Sequence, residues 1–139
     1  MHSEKYAVLI SIFPIYANQI FEGIKKVEFR KKIFNADIKK IVIYSTMPTG
    51  KIEGFVDYEG FKKLRPSELW NEYSKIGGIK KERYDEYFSN LDIAYGIEVK
   101  NPVRFNRPVT MAEIGKKPPQ SYAYLTKEEF AEICRKGGF

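Results

Sequence analysis

The stretch Gly23-Ile24-Lys25-Lys26-Val27-Glu28-Phe29-Arg30 carries a chain from the end of a helix directly into a strand, and the strand alternates in character. Glycine ends helices because it enters the left-handed conformation without a steric penalty, so Gly23 sets the direction in which the following residues leave. Successive side chains of a strand point to opposite faces. Val27 and Phe29 therefore share one side, and Lys26, Glu28, Arg30 and Lys32 share the other. One face can be buried against apolar neighbours while the other gathers an acid and several bases on a short ribbon. Such a ribbon suits a phosphate, a nucleobase edge or a polar substrate, because arginine offers a planar fork of donors and a carboxylate accepts or orients. Lys25 lies at the helix-strand junction. Strict alternation puts it with Val27 and Phe29, but the pleat need not be established there.

The surrounding pattern is mixed. Tyr6 to Ile10 reads as a strand of nearly continuous apolar character, and Pro14 stands where a helix begins without its missing amide hydrogen. Tyr16 with Ile20, and Ala17 with Phe21, form the inward pairs of that helix. Ile41-Val42-Ile43-Tyr44 has no polar alternate and reads as a strand buried on both faces, followed by a proline- and glycine-marked turn from Ser45 to Gly50. Lys51 to Tyr58 reads as half-buried, with Ile52, Val56 and Tyr58 on one face. Between Pro66 and Phe88 the period becomes helical: Leu69, Trp70, Tyr73 and Ile76 form one stripe, Gly77-Gly78 a break, and Tyr84, Tyr87 and Phe88 a second stripe. This pair reads as a helical insertion at about residues 66–90. Strand character returns with Ile93, Tyr95, Ile97 and Val99 on one face, and Pro102 and Pro108 mark an edge or bulged strand. Thr110 with Glu113, and Thr126 with Glu129, are capping boxes that open a short helical turn and a C-terminal helix.

Composition narrows the classes of function. The 139 residues, 43% hydrophobic and 15% aromatic, suit one domain with a core of its own. No apolar run reaches the roughly 18 residues of a membrane helix, and residues 1–5 lack the hydrophobic region of a signal peptide, so a cytoplasmic location is expected. The lone cysteine, Cys134, reads as a small apolar residue of the last helix; with the lone histidine, His2, it cannot make a zinc site of the usual kind, and no metal or cofactor is expected. His2 reads as a terminal residue, which removes histidine general-base chemistry. A net charge of +6, from 24 basic and 18 acidic residues, favours a polyanionic partner through counterion release, although lysine-rich surfaces also serve solubility alone.

Each candidate has a plain counterpart. Glu28 and Arg30 taken from the pattern alone are an exposed pair worth about 0 to 1 kcal/mol. Ser45 and Thr46, after the buried strand, offer hydroxyls at its carboxyl end or simply form a turn. In Pro118-Pro119-Gln120-Ser121-Tyr122-Ala123-Tyr124, Gln120 can read a base edge while Tyr122 stacks on it, or the tyrosines can merely pack. Lys31, Lys32, Lys39 and Lys40 flank Phe34 as a basic run that would grip a nucleic-acid backbone or face solvent, and Lys116 and Lys117 adjoin the proline pair. Lys80, Lys81 and Arg83 read as solubilising a helix. Thr49-Gly50-Lys51 lacks the leading glycine and trailing hydroxyl of a phosphate loop, and no H-E-x-x-H or G-x-S-x-G occurs.

The spacing G-x-K-x-x-E-x-R resembles the signature of the ASCH (activating signal cointegrator homology) domain of the PUA-like superfamily. The run from Ser11 to Ala17, the strand and turn from Ile41 to Gly50, and Pro118 to Tyr122 resemble its other segments. The resemblance implies an α+β fold, a small PUA-like mixed β-barrel with peripheral helices in a single domain over residues 1–139, and a cleft beside the first helix. It also implies a nucleic-acid-binding module for RNA or a modified nucleotide, held by Lys25, Glu28, Arg30, Lys32, Ser45, Thr46, Gln120, Ser121 and Tyr122. The alternative is a small amidohydrolase acting on an acylated nucleoside, with Lys25 and Glu28 catalytic. In such enzymes a threonine stands where this chain has Glu28, and their downstream glutamate has no match here beyond a guess at Glu72. A third reading, a protein-interaction module, requires an apolar patch on the Leu69-Trp70-Tyr73 helix.

Overall fold

In the computed structural model, which describes residues 4–139, the first strand, β1 (Ala7–Ile12), is buried almost throughout. Its side chains alternate between two apolar bodies, Ala7 and Leu9 entering one and Val8, Ile10 and Ile12 the other. A strand buried on both faces carries no polar alternate, which is the reason for its continuous apolar sequence. Helix α1 (Pro14–Phe21) begins at the proline, buries Ala17 and Ile20, and stops before Gly23, whose φ is +79°. Then follow β2 (Val27–Arg30), β3 (Lys40–Ser45), β4 (Lys51–Leu64), α2 (Pro66–Tyr73), α3 (Lys81–Tyr87), β5 (Ala94–Val109), a short 3₁₀ turn at Ala112–Ile114, β6 (Tyr122–Leu125) and α4 (Lys127–Lys136). Both capping boxes form as the spacing predicts, each threonine hydroxyl accepting from the glutamate amide and each carboxylate accepting from the threonine amide. His2 lies outside the described residues, and Cys134 is buried in α4.

The six strands form one mixed sheet in the order β2-β5-β4-β3-β1-β6, with β1 and β3 parallel and the other neighbours antiparallel. Helix α4 packs by Ile133 and Cys134 against the face that carries Leu9, Val42, Phe55 and Phe105. The opposite face carries Val8, Ile10, Ile43, Val56 and Ile97 and receives α1. A third apolar body joins α2 and α3 to Val27 and Phe29 on β2, with Leu69, Tyr73, Tyr84 and Phe88. Among the described residues no helix is long and apolar enough to cross a membrane.

No ladder joins the two edge strands β2 and β6, yet they meet. Arg30 on β2 reaches the Ser11 carbonyl of β1 at 3.1 Å and the Ser121 hydroxyl beside β6 at 3.2 Å. The Tyr122 hydroxyl donates to the Lys32 carbonyl at 2.7 Å, and the Asn35 amide donates to the Tyr124 hydroxyl at 2.8 Å. The sheet therefore curls into a barrel whose seam is closed by side chains.

Two strand expectations change. Ile52 does not share a face with Val56 and Tyr58; it joins Phe55 on the α4 side while those two face α1. The register of β4 shifts at Gly54, and one extra residue reverses which face the following side chains occupy as far as Tyr58. Ile93 precedes β5 and stays 40% exposed, apart from the buried Ile97 and Val99. The prolines of β5 behave as expected: β2 pairs only as far as Glu98, so Pro102 and Pro108 fall where that edge needs no donor, and the register slips between Lys100 and Val103.

Gly54 is required by close approach, since a Cβ there would lie 2.0 Å from the Val103 carbonyl oxygen and 2.7 Å from the Phe21 ring. Gly54→Ala is expected to cost roughly 1–3 kcal/mol, read as a lowered urea midpoint with an unchanged slope.

Candidate functional site

The charged face of β2 opens into the barrel. Glu28 lies opposite Ile97 in register, so its side chain points to the α1-side face, at the place where that apolar interior reaches the seam. Its Oε2 accepts from Arg30 at 3.0 Å, and its Oε1 lies 3.7 Å from the Lys25 ammonium. The side chains of Glu28 and Arg30 are only 10% and 13% exposed, so this is not a surface pair. Burial works against the Arg30 charge, but the adjoining Glu28 carboxylate outweighs it and raises the guanidinium's pKa.

Lys25 reaches the same carboxylate from outside the strand. The amides of Ile24 and Lys25 both donate to the Gln19 carbonyl, a tight exit that turns Lys25 inward before the pleat begins. Its ammonium donates to the Gly77 carbonyl at 2.5 Å and lies 5.3 and 5.0 Å from the ring centroids of Tyr16 and Phe29. Burial lowers its pKa against the raising effect of Glu28. Lys25 thus ties the loop between α2 and α3 to the helix-strand junction.

These groups line a cavity of about 330 Å³ together with Ser11, Ile12, Phe13, Tyr16, Phe29, Thr46, Ile79, Arg83, Tyr87 and Gln120. Two hydrogen bonds set its far wall: the Thr46 amide donates to Ile12, and the Ser11 hydroxyl to the Pro119 carbonyl at 2.6 Å, which places Gln120. Of the sequence candidates, Lys25, Glu28, Arg30, Thr46 and Gln120 face this space. Ser121 stands behind Arg30 as its acceptor.

Three candidates are elsewhere. Ser45 is fully buried and donates to Glu53 at 2.5 Å, because the last residue of β3 still alternates and turns away from its neighbour Thr46. The Lys32 side chain is exposed and offers only its backbone carbonyl to Tyr122. Tyr122 is half-buried and does not line the cavity: its ring meets Phe34 edge to face and lies beneath the Arg30 guanidinium, and burial raises the pKa of its phenol.

Other expectations are placed as clearly. Glu72 is on the surface paired with Lys62, Lys40 pairs with Asp57 and Lys116 with Glu129. Leu69 and Tyr73 are buried and Trp70 packs on Tyr84, so the α2 stripe is core, not an exposed patch. No group of three or more metal-ligating side chains suited to an ion occurs among the described residues.

Sequence reasoning missed Ser11, Phe13, Tyr16, Ile79, Arg83 and Tyr87. Ser11 and Phe13 were within reach, since ligands gather beyond the carboxyl ends of parallel strands and β1 and β3 are the parallel pair. Arg83 and Tyr87 share a helix face four residues apart, but nothing local says that this face meets the barrel.

Residues 10–103 match the ASCH domain. The chain belongs to the ASCH domain family. Its PUA-like α+β architecture agrees with the crystal structure of the Zymomonas mobilis ASCH protein, with a TM-score of 0.86 at 27% identity over 93% of this chain and 94% of that one. A Zymomonas mobilis protein named an ASCH domain-containing ribonuclease is 29% identical over 138 residues, covering 94% of this chain and 91% of its own. The large ribosomal subunit protein uL22 of Ureaplasma parvum is 30% identical over 120 residues, which are 85% of this ASCH chain and 39% of that longer protein.

Because one carboxylate serves two buried cations in this ASCH domain, Glu28→Gln is expected to cost about 3–5 kcal/mol in urea unfolding. Lys25 gives a pH test. Folding lowers its proton affinity, so between its folded value and the ordinary 10.5 the unfolded chain holds more protons and this group's contribution to stability rises with pH. Unfolding measured at pH 8 and pH 10 should show the difference between wild type and Lys25→Met shifting toward wild type at the higher pH.

Proposed function

We propose that this ASCH domain binds single-stranded RNA and takes one unstacked nucleotide into the cavity at the barrel seam. The observation that carries the reading is the make-up of that cavity: Lys25, Arg30 and Arg83 against the single carboxylate of Glu28, between walls of Phe13, Tyr16 and Tyr87. Surplus positive charge suits a phosphate, aromatic walls suit a base, and the free side chains of Thr46 and Gln120, near the Glu28 carboxylate, suit base edges. A volume near the lower end of the roughly 300–1,000 Å³ of ligand pockets suits one nucleotide, while the bases of a duplex remain stacked and out of reach. The similarity over nearly full length to a protein named a ribonuclease supports RNA as the ligand class.

That name also favours a second reading, cleavage of the bound strand. The 2′-hydroxyl of the held nucleotide would lose its proton to Glu28 and attack the adjacent phosphorus, the phosphorus to 5′-oxygen bond breaking to leave a 2′,3′-cyclic phosphate and a 5′-hydroxyl that takes its proton from solvent, with positive charge in the cavity stabilising the added negative charge. Hydrolysis of an acylated nucleoside, the Lys25 and Glu28 alternative, is an outcome of the same assay.

Short single-stranded and duplex RNAs, and an acylated nucleoside, should be titrated in low and moderate salt, with chromatography of the products. The expected result is preference for the single strand, affinity falling with salt, and a drop of about tenfold in the Thr46→Ala, Gln120→Ala double variant, whose two side chains have no intramolecular partner among the described residues. Equal affinity for duplex and single strand, or an unchanged double variant, contradicts the cavity reading. A cyclic phosphate product adds the nuclease activity, and release of an acyl group from a modified nucleoside replaces it with the amidohydrolase.

A further inference from the structure

The cations that line the cavity are not equally available. Both terminal nitrogens of Arg30 are engaged, one with Glu28 at 3.0 Å and the Ser11 carbonyl at 3.1 Å, the other with Ser121 at 3.2 Å. The Lys25 ammonium is held by the Gly77 carbonyl at 2.5 Å and by Glu28 at 3.7 Å, and it is 3% exposed. Lys31, nearby in the chain, lies over the Tyr87 ring at 4.7 Å. Drawing Lys25 or Arg30 onto a ligand would undo a buried interaction, and Lys31 is exposed and does not line the cavity. Arg83 differs: it lines the cavity from α3, is exposed, and makes no hydrogen bond or ion pair among the described residues.

We propose that Arg83 is the phosphate-binding residue of the site, and that Lys25 and Arg30 shape the pocket without contacting the phosphate directly. The inference rests on the reading of the cavity as a nucleotide site and assigns its polarity. The phosphate lies at the α3 wall, where Arg83 offers a planar fork that can take two phosphate oxygens at once. The base lies toward Glu28, Thr46 and Gln120, which come from the sheet and the segment leading into β6. Tyr87, one turn along from Arg83, stays protonated because burial raises its pKa, and so adds no negative charge to that wall.

The test compares ratios within one protein. Wild type, Arg83→Ala and Arg83→Lys are titrated by calorimetry with the four nucleosides, their 3′- and 5′-monophosphates, and a short single-stranded RNA at several salt concentrations. Wild type should prefer a monophosphate to its nucleoside. Arg83→Ala should reduce that preference about tenfold, and Arg83→Lys should restore part of it, since lysine supplies the charge without the fork. For the RNA, the slope of log affinity against log salt should fall by about 0.7 in Arg83→Ala, one phosphate contact on a single strand. An unchanged preference and slope in Arg83→Ala overturn the assignment while leaving the cavity as the RNA site. If wild type binds neither nucleosides nor RNA, the reading of the cavity and the assignment of Arg83 fall together.

Discussion

A single carboxylate inside the barrel governs the arrangement. Glu28 stands on β2 facing an interior that is otherwise apolar, and a buried charge without partners is strongly disfavoured. Its partners come from different directions. Arg30 approaches along the same strand and continues to β1 and the segment before β6, while Lys25 approaches from the helix junction and continues to the loop between α2 and α3. Neutralising Glu28 therefore fixes the positions of the seam, the first helix and the helical segment at once. The cavity is the space left where those three meet.

This explains why a short signature can define a site without supplying all of its contacts. Lys25, Glu28 and Arg30 satisfy one another and the backbone around them, which makes them a frame. The side chains that remain free, Thr46, Arg83 and Gln120, belong to three other parts of the chain. Variation among proteins with the same frame can then fall on the free groups, changing what is bound while the pocket keeps its form.

Much of the fold follows from local rules in the sequence. The period of two placed Glu28 and Arg30 on one face, the threonine-glutamate pairs marked both helical starts, and the unbroken apolar runs marked β1 and β3 as strands covered on both sides. Where those rules stopped, a tertiary event had intervened. The bulge at Gly54 reversed the faces of β4 because Glu53 is an extra residue in the pairing with β3, and glycine is needed beside it because the backbones of β4 and β5 approach too closely there for a side chain. Ser45 and Thr46 are adjacent, and the end of one strand decided which entered the site. Arg83 looked like a solubilising residue because nothing within α3 shows that Tyr84 and Phe88 dock on Phe29 and thereby turn Arg83 and Tyr87 toward the barrel.

The seam has a consequence beyond the pocket. An unclosed sheet presents two edges, and an edge with free amides and carbonyls is a template on which another chain can add a strand. In this protein Arg30, Tyr122 and Tyr124 lay side chains across the gap between β2 and β6, onto the carbonyl groups of Ser11 and Lys32 and the amide of Asn35. Arg30 thus belongs both to the frame of the cavity and to the closure of the seam, so a change at this one guanidinium would disturb the pocket and the join between the sheet edges together.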